Sequence, residues 1–132
     1  MKALFGCNQG GDPVLELNVS IAPSFRGAVC YTVFLEAQST WIRSRSVDGV
    51  GVHSLERFAE LYRFNPGDVE RIRESYPEVR WGEVIASERT FSDYSSLDGG
   101  IGHRIVSIDY TIELVCRMVC FYESVFAREK PD

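Results

Sequence analysis

The chain contains very little lysine and no long apolar run. Of its 14 lysine and arginine residues only Lys2 and Lys130 are lysine, and 19 acidic residues leave a formal net charge of -5. Binding to phosphate backbones needs a basic face, so this balance argues against nucleic acid as a partner. The most apolar stretch, Ala28–Leu35, is far shorter than the roughly 20 residues that cross a bilayer, so no membrane span is predicted.

Motifs that carry catalysis are also missing. The glycines of Asp98–Gly102 neither follow a strand directly nor open a helix, so they do not match a phosphate-binding loop. The chain has 2 histidines, His53 and His103, and both lie at boundaries of predicted elements beside glycine-bearing turns. Histidines in such places more often cap or face solvent than act as bases. The sequence therefore predicts a protein that is not an enzyme and holds no cofactor.

The 4 cysteines lie in or beside apolar runs, as buried reduced thiols do in a cytoplasmic protein. They are Cys7, Cys30, Cys116 and Cys120. Their number alone also allows two disulfides, an alternative that stays open here. Cys116 and Cys120 with His103 nearby are too few ligands, too widely spaced, for a zinc site. We expect reduced thiols, no metal and a cytoplasmic location.

A chain of 132 residues, 45% apolar and 25% charged, has the size and composition of one globular domain, so residues 1–132 are predicted to form a single domain. Alternation of apolar and polar residues predicts strands over most of its length. The predicted strands are Lys2–Phe5, Val14–Ile21, Ala28–Glu36, Ser39–Val47, Val50–Val52, Trp81–Phe91 and Arg104–Leu114. Ala28–Glu36 is apolar on both parities, which is typical of a central strand covered on both faces.

Two consecutive helices interrupt these strands, at Ser54–Phe64 and Pro66–Tyr76. Ser54 is the expected cap of the first helix, and Asn65 caps the second with Pro66 at its first position. The order of elements predicts an α+β fold, with an antiparallel sheet of about five strands and both helices on one face. Asp48-Gly49 is read as a hairpin turn, and Trp81–Phe91 is expected to pair with Arg104–Leu114 as a hairpin.

The densest apolar pattern in the chain runs over Arg104–Ala127. Period two from Val106 to Leu114 indicates a strand with one buried face. The segment Val115–Ala127 fits a helix stripe as well as a doubly buried strand. We expect a strand to about Phe121 and leave the helical alternative open.

The polar parity of that strand suggests a binding surface rather than a catalytic one. Asp109 and Glu113 would lie about 13 Å apart along the strand, too far to act on one bond. With Asp93 and Asp98 and the aromatic anchor Tyr94 on the preceding loop, they form an acidic patch suited to a basic protein partner.

In size, acidity and lack of catalytic residues the chain resembles the immunity proteins that neutralise bacterial toxins, a class that shares no motif. The resemblance implies a cytoplasmic bacterial protein that blocks a basic partner, such as a cognate toxin. The alternative is a small-ligand-binding or enzymatic domain with an apolar pocket between sheet and helices. Its expected lining is Tyr31, Trp41, Phe58, Tyr110 and Tyr122, with His103 at the mouth.

Overall fold

A computed structural model of the chain describes residues 2–7, 20, 28–45, 50–88 and 107–131. The described residues form three strands and five helices. The strands are β1 (Lys2–Cys7), β2 (Ala28–Val33) and β3 (Gly51–Ser54); the helices are α1 (Glu36–Arg45), α2 (Leu55–Leu61), α3 (Pro66–Ser75), α4 (residues 81–88) and α5 (Ile108–Glu129). Among these elements no helix combines the length and apolar character needed to cross a membrane.

The sheet is parallel, so the predicted antiparallel sheet of about five strands is wrong. Its described strands lie in the order β1-β2-β3, with Leu4 opposite Cys30 and Cys30 opposite Gly51. Alternation reports which face a side chain takes but not the direction of the neighbouring strand, so the antiparallel assignment had no support from the pattern. β2 is the central strand, as its two apolar parities predicted, and β1 confirms the predicted strand at Lys2–Phe5.

Three predicted strands are wrong because the residues are helical. Ser39–Val47 falls on α1, where Ser39 and Ile42, three positions apart, are fully buried. Trp81–Phe91 coincides with α4 as far as residue 88. Arg104–Leu114, and its expected extension to Phe121, falls on α5 from Ile108 onward. The hairpin expected between these last two segments is therefore wrong too.

The turn expected at Asp48-Gly49 lies outside the described residues. The hairpin pairing expected to follow that turn is wrong. β3 pairs in parallel with β2 instead of folding back on the preceding segment. The predicted strand Val14–Ile21 lies outside the described residues apart from Ser20.

The caps of α2 and α3 confirm the predicted helix starts. The Ser54 hydroxyl accepts a hydrogen bond from the backbone N–H of Arg57 at 3.0 Å. The Asn65 side chain accepts one from the N–H of Gly67 at 2.9 Å, and Pro66 occupies the first helical position. Each cap satisfies a backbone donor that has no partner within the helix, and removing such a cap costs about 1 kcal/mol.

The chain divides into two compact units. The sheet unit comprises Met1–Tyr62 with Phe121–Asp132, and the helical unit comprises Arg63–Cys120. The sheet unit has its core on one face of the sheet, where Tyr31, Val33 and Val52 pack with Ile42 of α1. α1, rather than the two consecutive helices expected there, supplies the helical members of this core. Truncating a buried residue such as Ile42 to alanine costs about 2–5 kcal/mol.

Candidate functional site

The second face of the sheet carries a polar cluster, which we call the Glu129 cluster: Lys2, His53 and Glu129. Alternation along each strand places Lys2, Cys30 and His53 on the face opposite Tyr31 and Val52. Glu129 reaches this face from the last turn of α5. Its carboxylate forms an ion pair with the Lys2 ammonium, and its Oε1 lies 2.6 Å from Nε2 of His53. One carboxylate therefore links β1, β3 and α5.

The electrostatics of this cluster favour a charged Glu129. The hydrogen bond from Lys2, together with a weaker contribution from that of His53, holds the pKa of the Glu129 carboxyl below its ordinary value, although burial acts in the opposite direction. The same bond raises the pKa of Lys2. Only 11% of the Glu129 side chain and 14% of the His53 side chain are exposed. With so little access, the cluster is built to join elements rather than to meet a substrate.

Gly51 provides the space for this carboxylate. A Cβ at position 51 would lie 2.7 Å from Oε1 of Glu129 and 3.3 Å from Cβ of Cys30. Side chains do not tolerate the shorter distance, so any other residue here would push the carboxylate away. Beside His53 on the neighbouring strand, the buried Thr32 hydroxyl has no hydrogen-bond partner in the described structure.

The helical unit contains an open apolar cleft, which we call the α3–α5 cleft. Its volume is about 690 Å³, and its lining residues are Val69, Glu70, Arg73, Glu74, Pro77, Val79, Trp81, Gly82, Ile85 and Ile112. A smaller apolar cavity of about 60 Å³ shares Val69, Trp81 and Ile112 with it and adds the buried Ile72, Val115 and Cys116. Apolar cavities of this kind stay dry and accept apolar groups.

Two of the residues predicted to bind a partner lie at the start of α5. Asp109 is exposed, between Ile108 at 54% and Tyr110 at 49% exposure. Glu113 follows one turn later and is held by Arg117, whose Nη2 lies 3.0 Å from its Oε1. Because the segment is helical, the two carboxylates share one helix face at i and i+4 instead of lying about 13 Å apart along a strand. Asp93, Tyr94 and Asp98 lie outside the described residues.

The residues named for the alternative pocket belong to several parts of the described structure. Tyr31 and Trp41 belong to the core beneath α1, where Tyr31 stacks on Phe5. Phe58 and Tyr122 instead belong to an aromatic cluster around Phe121. Tyr110 is half exposed in the helical unit, and His103 lies outside the described residues.

In the described structure Cys30, Cys116 and Cys120 form no disulfide. Cys30 and Cys116 are buried, while Cys120 is partly exposed with Nη2 of Arg71 3.3 Å from its sulfur. Burial raises the pKa of the Cys30 and Cys116 thiols. In the part of the chain that is described, no three His, Cys, Asp or Glu side chains are placed to hold a metal ion.

Sequence reasoning missed the Glu129 cluster, whose members lie near both ends of the chain. The one local signal was Gly51 within a short apolar run beside His53, because glycine inside a strand often marks a close approach. No protein-family model, curated protein or solved structure matches this chain.

Proposed function

We propose that this protein binds a basic protein partner and neutralises it without catalysis, as an immunity protein does to a toxin. The observation that carries the proposal is Asp109, an exposed carboxylate that has no ion-pair partner among the described residues and lies in the chain between two half-exposed apolar side chains. Protein interfaces combine apolar contacts with neighbouring charges. The aromatic side chain anchors the bound partner, and the charge steers the partner as it approaches.

The charge balance of the helical unit supports the same conclusion. Four of its described arginines are engaged by carboxylates of their own unit: Arg71 by Asp68, Arg73 by Glu70, Arg80 by Glu83 and Arg117 by Glu113. In contrast, the exposed Glu74, Glu78 and Asp109 have no ion-pair partner among the described residues. The unpaired carboxylates among the described residues of this unit therefore present negative charge to a partner, in agreement with the net charge of -5 of the whole chain. Such a surface attracts cationic proteins and speeds their association.

The test begins with capture of the partner from the native host. The tagged chain is incubated with host extract at low and at high salt, and bound proteins are identified by mass spectrometry. We expect a basic protein that is retained at low salt and released as salt rises, because exposed charges are screened over about 8 Å at physiological ionic strength.

Capture alone does not establish neutralisation. The identified protein is then produced in a heterologous cell with and without this chain, and growth is recorded. We expect growth arrest that the chain relieves. A captured protein whose activity is unchanged by the chain, or the absence of any basic protein at low salt, would contradict the proposal.

A further inference from the structure

The α3–α5 cleft has the form of a groove for a helix. The face of α3 that carries Val69 and Arg73 lies along it, with Trp81 and Ile85 of α4 and Ile112 of α5 completing the wall. The α3 residues that line it, from Val69 to Glu74, span about 7.5 Å of the helix axis, which corresponds to roughly one and a half turns of a bound helix. Resting on the proposed function, we propose that this cleft holds a basic amphipathic helix of the partner.

The apolar part of the argument is the shape of the cleft. Grooves of this kind take the apolar stripe of an amphipathic helix through anchors spaced i, i+3, i+4 and i+7. The cavity of about 60 Å³ bounded by Ile72, Val115 and Cys116 is open to one such anchor. These three residues are buried, and apart from Arg73 the other residues that line the cavity are apolar too.

The charged part of the argument is the rim. Glu70 and Glu74 both line the cleft beside Arg73. Nη1 of Arg73 lies 3.5 Å from Glu70, so these two charges compensate each other. Glu74 is exposed and has no ion-pair partner in the described residues, so the rim carries uncompensated negative charge. An acidic helix would be repelled there, whereas lysine or arginine flanking the apolar stripe would pair with Glu74.

Trp81 provides a direct signal for occupancy. It lines the cleft, and the other of the 2 tryptophans, Trp41, lies in the sheet unit. In a Trp41→Phe variant the fluorescence of Trp81 alone reports on the cleft. The probe is a synthetic peptide with leucine at i, i+3, i+4 and i+7 and lysine or arginine on its other face. Its companion has the same leucines with glutamate in place of every cation.

We expect the basic peptide to shift Trp81 emission to shorter wavelength in a saturable titration, and the acidic peptide to leave it unchanged. Glu74→Lys should weaken binding of the basic peptide about tenfold. Glu78→Lys is the matched control, because Glu78 is also exposed and without an ion-pair partner among the described residues but does not line the cleft. Both variants change the net charge equally, so a general charge effect would be the same in both. The Kd of the Glu78→Lys variant should stay within about twofold, because position 78 does not line the cleft and salt screens its charge.

Circular dichroism and the melting temperature confirm that both variants fold. Equal affinity for the two peptides, or equal loss in the two variants, would overturn the proposal. So would a small apolar molecule that raises the melting temperature and quenches Trp81 while the basic peptide has no effect.

The outcome is separable from that of the proposed function. If the partner is captured and neutralised but neither the peptide nor Glu74→Lys has an effect, the cleft inference fails and the function stands. If the peptide binds but no partner is neutralised, the proposed function fails and the cleft stands as a helix-binding groove.

Discussion

Oε1 of Glu129 lies 2.6 Å from Nε2 of His53, although 76 positions separate the two residues in the chain. The same carboxylate binds Lys2 at the start of β1. A single side chain of α5 is thus bonded to two strands that do not pair with each other in the order β1-β2-β3. The Glu129 cluster is therefore a polar clamp across the sheet.

Glu129→Gln should destabilise the protein by roughly 1–3 kcal/mol at pH 7, because an amide cannot replace the charge-assisted bonds to Lys2 and His53. The folded-state pKa of Glu129 is lowered, so its contribution is present above the unfolded value near 4.5 and is lost as pH falls through the folded value. Urea unfolding from pH 7 to pH 3 should show the difference between wild type and variant shrinking on the acid side.

The matched control for that substitution is Glu78→Gln, which makes the same change at an exposed carboxylate without an ion-pair partner in the described residues. Its unfolding midpoint should follow the wild type throughout. A difference for Glu129→Gln that stays constant down to pH 3 would contradict the electrostatic origin of the effect.

Gly51→Ala should cost roughly 1–3 kcal/mol, because the new methyl group would lie 2.7 Å from the Glu129 carboxylate. In a Glu129→Ala background, where that oxygen is absent, the same substitution should cost clearly less. A double-mutant cycle measured by urea unfolding gives the coupling directly. Additive costs would show that the clash is with Cys30 or the backbone instead.

Cys30 and Cys116 should react with a thiol reagent only when the protein unfolds, because both are buried and burial raises the pKa of both thiols. Cys120 is partly exposed and should be labelled first. Mass spectrometry of peptides after timed labelling, with and without urea, distinguishes the sites. Rapid native labelling of both buried thiols would contradict their placement in the core.

Asp109→Lys should slow association with the partner about tenfold and reduce the dependence of that rate on salt. Glu113→Gln is the informative comparison, because Glu113 already pairs with Arg117 and offers less free charge. It should cost the helix about 0.5 kcal/mol and change the association rate little. Stopped-flow kinetics with the captured partner would measure the association rates of both variants. Equal slowing in the two variants would contradict a specific role of Asp109 in association.

Local signals in the sequence were sufficient where a side chain acts on its own backbone. Ser54 and Asn65 cap the helices they were expected to cap, and Pro66 begins α3. The two apolar parities of Ala28–Val33 also identified the central strand. In each case the physical cause lies within a few residues, so the sequence contains it in full.

The sequence pattern was insufficient where two structures share the same residues. Ile108 and Ile112 are two alternations apart in a strand but also one turn apart in a helix, so both periods fit. Thr111 would lie on the same polar face of a strand as Asp109 and Glu113, yet in α5 it is fully buried. The pairing of Lys2 and His53 with Glu129 depends on the tertiary fold alone, so nothing near Glu129 could have indicated it.

The parallel sheet also sets the order in which the protein can fold. No parallel pair can form from a tight hairpin, so β2 and β3 meet only after the segment that carries α1 has closed between them. We expect β2, α1 and β3 to make the folding nucleus, with Ile42 at its centre. Ile42→Val should then slow refolding. We expect the contacts of Glu129 to form after the rate-limiting step, so substitutions at Glu129 should mainly accelerate unfolding, which stopped-flow refolding and unfolding rates would measure.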